Sequence, residues 1–124
     1  MFKRIAIQEM GHVERLAERI IFLKGDVEMV APGLTEKVTD PQKMVARASA
    51  MEREAVTVYN QFALQAGKSA DAGTKQVFEA LVNDEEGHYD QFDKQLENIK
   101  RFGLSYLALQ SFEQTPAQPV AAEK

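Results

Sequence analysis

Apolar residues recur along this chain at three- and four-residue steps in three stretches, and each reads as a helix with one inward face. The first runs from Phe2 to Leu23. Ile5, Leu16, Ile20 and Leu23 form one stripe, Glu9 and His12 fall in line with it, and Gly25-Asp26 ends the helix. A second stripe on an adjacent face (Phe2, Ala6, Met10, Val13, Ala17, Ile21) predicts burial on two sides, which a subunit interface explains most simply. Lys24 to Asp40 contains Pro32-Gly33 and little periodicity, so it reads as a connection. It is longer than antiparallel neighbours need and suits a crossover joining two parallel helices of a bundle.

Asp40 as N-cap and Pro41 at the first helical position open a second helix, with Gly67 as its expected stop. Its stripe is Val45, Ala48, Glu52, Val56, Tyr59 and Phe62. The third helix starts between Ala70 and Thr74 and ends at Gly103. Phe78, Leu81, Glu85, His88, Phe92, Leu96, Ile99 and Phe102 form its continuous stripe. Leu104 to Phe112 predicts a short fourth helix. The expected fold class is all-α, a helix bundle of three long helices and a short C-terminal one. Residues 1–112 form its single domain, and 113–124, rich in Ala, Pro and Gln, form a flexible tail.

The composition narrows the function classes. A chain of 124 residues makes one domain, and 44% hydrophobic with 27% charged residues suits a soluble globular protein. A net charge of -4 argues against a general nucleic-acid binder, which needs clustered Lys and Arg. The absence of cysteine excludes disulfides, thiolate zinc sites and iron–sulfur clusters. The longest apolar run, Ile20-Ile21-Phe22-Leu23, is too short to cross a bilayer. Met1-Phe2-Lys3-Arg4-Ile5 lacks a signal-peptide core, so a cytoplasmic protein without a membrane partner is expected.

Both histidines of the chain sit in one pattern. Glu9-Met10-Gly11-His12 and Glu85-Glu86-Gly87-His88 are each Glu-x-x-His, and residues three apart share a helix face. Each pair therefore presents a carboxylate and an imidazole along an apolar stripe. An ionised Glu buried there is costly unless it is paired or bound to metal. With Glu52 on the remaining helix, three carboxylates and two imidazoles point into one interior. Hard oxygens with imidazole nitrogens suit iron or manganese, and zinc less specifically. One Glu-x-x-His is common on Glu-rich helices; two that use every histidine make a metal site. The arrangement is the general signature of ferritin-like di-iron bundles. Tyr59 and Phe62 read as packing residues, and Met10 by composition alone is a gap-filler.

Nearly the whole chain resembles the second helix onward of bacterioferritins. The resemblance is carried by Gln8-Glu9-Met10-Gly11-His12, Glu18-Arg19-Ile20-Ile21-Phe22-Leu23-Lys24-Gly25, Asn83-Asp84-Glu85-Glu86-Gly87-His88 and Gly103-Leu104-Ser105-Tyr106-Leu107, and by the separations between Glu9, Glu52 and Glu85. It implies that Glu9 and Glu85 bridge two metal ions, that His12 and His88 are terminal ligands, and that Glu52 is a terminal carboxylate. Together these five would be the catalytic residues of a ferroxidase, an oxidoreductase that binds Fe(II), oxidises it with oxygen or peroxide, and stores Fe(III). Met10 matches the methionine with which such proteins hold haem b between two subunits, so a homo-oligomer, dimer or larger, is implied, with a cage as its largest form.

Bacterioferritins begin with a further long helix that supplies another metal-binding Glu, and no residue here matches it. The resemblance therefore predicts a bundle whose fourth helix comes from elsewhere: beyond a truncated reading frame, from a partner chain, or from a rearranged assembly in which a symmetry mate or water fills the gap. Two other functions fit the same residues. One is a non-cage di-metal oxidoreductase or peroxidase resembling rubrerythrins without a cysteine-bound iron. The other is a haem-carrying or structural subunit with a remnant metal site.

Overall fold

The computed structural model describes residues 1–113, with only the backbone of 112 and 113; the tail expected over 113–124 otherwise lies outside the described residues. All regular elements among the described residues are helices: α1 (Phe2–Phe22), α2 (Pro41–Lys68), α3 (Ala72–Phe102) and α4 (Ser105–Glu113). None of them is long and apolar enough to cross a membrane. The caps explain most boundaries. The Asp40 carboxylate accepts from the Lys43 N–H at 2.8 Å, with Pro41 at the first helical position, and starts α2. Asp71 does the same for α3 through the Thr74 N–H at 3.0 Å. Gly103, at φ 77°, ends α3 in a conformation that L side chains resist.

The expected stop at Gly67 is corrected: α2 continues to Lys68 and Ser69 is its cap. The left-handed residue of the α2–α3 turn is Ala70, at φ 57°. The Asp71 N–H donates to the Ala66 carbonyl at 2.9 Å and closes the turn, so the reversal falls three residues beyond the glycine. That short turn makes α2 and α3 antiparallel partners, and they share the largest helix–helix contact. The direction of α1 follows from its polar partners. Arg4 meets Gln91, Gln8 meets His88, His12 and Arg15 meet Asp84, and Arg19 meets Asp71. Rising numbers on α1 meet falling numbers on α3, so α1 is antiparallel to α3 and parallel to α2. Leu23–Asp40 is therefore the crossover that its length predicted.

The core gathers around α3. Ile5, Val45, Phe92 and Ile99 form one buried cluster, closed by Met1, Ala48, Leu96, and Tyr106 and Leu107 of α4. The Asn98 and Gln110 side-chain amides both donate to the Tyr106 hydroxyl, at 3.0 and 2.8 Å, and hold α4 in place. Leu81, Ala63 and Ala66 are buried nearer the other end, where Phe78 packs between Tyr59 and Phe62. The ends of all three inward stripes are corrected. Ile20, Leu23, Phe62 and Phe102 are exposed, although their spacing predicts an inward face. Arg19 already contacts the first turn of α3, so the last residues of α1 run past the helix that would cover them. Much of the second stripe of α1 is uncovered: Met10, Val13 and Ile21 face outward, while Phe2, at its start, packs its ring on Phe92.

Candidate metal centre

Glu9, His12, Glu52, Glu85 and His88 come together where the three long helices converge. His12, Glu52, Glu85 and His88 are buried, Glu85 to 1% exposure, and Glu9 is half-buried at the edge. Helical spacing puts each Glu beside its His: His12 Nδ1 lies 3.4 Å from Glu9 Oε2, and His88 Nδ1 lies 3.2 Å from Glu85 Oε2. The other contacts cross between helices. Glu85 Oε1 approaches His12 Nδ1 at 2.9 Å, and Glu9 Oε1 approaches His88 Nδ1 at 2.9 Å. Glu9 and Glu85 thus each offer one oxygen to each imidazole. Glu52 joins only the second group, 3.9 Å from His88 Nδ1.

The centre therefore has two halves. Around His88, one donor atom each from Glu9, Glu52, Glu85 and His88 fall within 4.8 Å of one another. Around His12, the described residues bring two donors besides the imidazole, Glu9 Oε2 and Glu85 Oε1. The imidazole rings lie stacked with their centroids 5.9 Å apart.

The electrostatics of this cluster call for cations. Burial pushes the Glu52 carboxyl from its usual 4.5 up to about 8, helped by its hydrogen bond with Glu85 and by the charges of Glu85 and Glu9. Burial also raises Glu85; the charges of Glu9 and Asp84 add to the rise, while a hydrogen bond from Glu52 opposes it. Glu9 Oε1, His12 Nδ1 and Glu85 Oε1 are buried and make no hydrogen bond, although His12 Nδ1 and Glu85 Oε1 are only 2.9 Å apart. Buried lone pairs that face one another unpartnered are costly, and a divalent ion satisfies them together. The donor set fits iron or manganese.

Three polar residues support the centre, and periodicity alone does not identify them. Asp84 Oδ2 faces His12 Nε2 at 3.1 Å and accepts from Arg15 Nη2 at 2.7 Å. Gln8 Oε1 faces His88 Nε2 at 3.1 Å. Gln8 and Asp84 each precede the Glu of a Glu-x-Gly-His stretch, the one sequence signal that marks them. Tyr59, assigned to packing, does pack on Phe78, but it also borders the acids. Burial raises its hydroxyl pKa, and the charges of Glu85, Glu9 and Glu52 raise it further. Met10 lies away from the centre, 60% exposed on the outer face of α1.

Known proteins share this fold. The family described as Ferritin-like domain matches residues 1–102. The chain is 32% identical to a bacterioferritin of Desulfovibrio desulfuricans over 98% of its own length and 67% of that protein's. It is 30% identical to one of Rhodobacter capsulatus over 84% of its length and 65% of that protein's. The solved structure of the Desulfovibrio desulfuricans bacterioferritin, determined with its di-iron site in different catalytic states, superposes with a TM-score of 0.84 at 29% identity, covering 98% of this chain and 70% of that one. The chain belongs to the ferritin-like proteins and, among them, to the bacterioferritin family. It spans about two thirds of the length of the curated relatives that it matches.

Proposed function

We propose that this chain takes up Fe(II) as a pair at the carboxylate–imidazole centre and oxidises it for storage as Fe(III). One observation carries the reading: Glu9 and Glu85 each turn one oxygen toward His12 and the other toward His88, the placement that two bridging carboxylates need. In this reading His12 and His88 cap the two ions, and Glu52 adds a terminal carboxylate on the His88 side. On the His12 side, further coordination falls to water or to an acid beyond these five residues. The substrate iron supplies the electrons, one from each Fe(II), and oxygen or peroxide accepts them. The protein's part is to hold two ions within reach of one oxidant molecule, to balance their charge, and to keep bulk water off a buried site.

The uncovered stripe around Met10 supports pairing with a second copy in a homo-oligomer, where in this reading the exposed Met10 thioether would bind a haem iron. Loss of the haem spectrum from the reconstituted protein on Met10→Ala would support that assignment; unchanged haem binding would refute it. The main reading is tested by anaerobic Fe(II) titration of metal-free protein, followed by admission of oxygen or peroxide. Two tight equivalents per chain that turn over to Fe(III) are expected. One equivalent or none, or two that stay ferrous, would overturn it.

A further inference from the structure

We draw no further inference here: the strongest candidate, the polar pocket where α1, α3 and α4 meet, lined by Met1, Arg4, Gln91, Lys94, Gln95 and Gln110, carries nothing, because Arg4 is already bonded to Gln91 and Lys94 to Asp90 and nothing in the structure shows what would fill it.

Discussion

Replacing Glu52 by Gln separates what a buried acid costs the fold from what it contributes to the centre. Glu52 titrates near 8 in the folded chain and near its usual 4.5 once unfolded, so the folded state holds an extra proton between those values. Stability falls with rising pH wherever the folded state binds more protons, and the metal-free parent should therefore weaken from pH 4.5 to 8. At pH 7 the gap of some 2.5 pH units, at about 1.4 kcal/mol each, corresponds to about 3 kcal/mol. Gln keeps the shape and a donor for Glu85 but never ionises. Allowing for relaxation of the cluster, the metal-free variant should gain about 2 kcal/mol at pH 7, roughly 6–10 °C in melting temperature for a chain of this size. The gain should be near zero at pH 4.5 and largest near pH 8. Thermal unfolding followed by circular dichroism, with chelator and at fixed protein concentration, reads it directly. With anaerobic Fe(II) present the order should reverse, because the variant has lost a ligand. A gain of equal size at pH 5 and pH 8, or a metal-free variant weaker than the parent at pH 8, would refute the argument.

Three other perturbations address the rest of the molecule. His12→Ala and His88→Ala should each cut Fe(II) binding from two equivalents toward one while moving the metal-free melting temperature by less than about 5 °C; two variants that bind like the parent would place the site elsewhere. Leu81 is fully buried on α3 one turn from Glu85, and Leu81→Ala should cost about 2–4 kcal/mol in urea unfolding. A loss below ~1 kcal/mol would mean that the cavity collapses freely. Gly87 lies inside α3, and a Cβ built there meets nothing within 4 Å. Gly87→Ala should therefore stabilise the chain by about 0.5–1 kcal/mol through helix propensity; destabilisation would show that this face is occupied in solution.

What the sequence revealed was set by how local each cause is. Asp40-Pro41 and Gly103 fix helix ends through their own side chains and backbone, so those boundaries were legible. So was the convergence of Glu9, His12, Glu52, Glu85 and His88, because Glu-x-x-His needs only helical geometry to form a pair, and Glu52 stands on its helix's inward stripe. Gly67 misled because a glycine permits a helix to end without requiring it; the turn closed at Ala70 and Asp71, where the α2–α3 packing places the reversal. The exposure of Ile20, Leu23 and Phe102 depends on how far α1 slides along α3, a tertiary register that periodicity does not contain. Asp84 and Gln8 stayed hidden for the same reason, since each acts on a histidine of the other helix. Tyr59 has two neighbourhoods, and its stripe revealed only the aromatic one.

The way α1 is attached has a consequence for the order in which the molecule comes apart. Its buried residues are Ile5 and His12; Phe2 packs its ring on Phe92 and Leu16 is half-buried, so few apolar side chains anchor a helix of 21 residues. Much of the attachment is ionic and polar: Arg15 to Asp84, Arg19 to Asp71 and Thr74, and the crossed glutamate–histidine contacts. Such contacts weaken with salt and with protonation, whereas the apolar seam between α2 and α3 does not. Amide protons of α1 should therefore exchange first, as a unit that opens while α2 and α3 stay paired. Ions bound between Glu9 and Glu85 would close that unit, and each emptying of the site would release it.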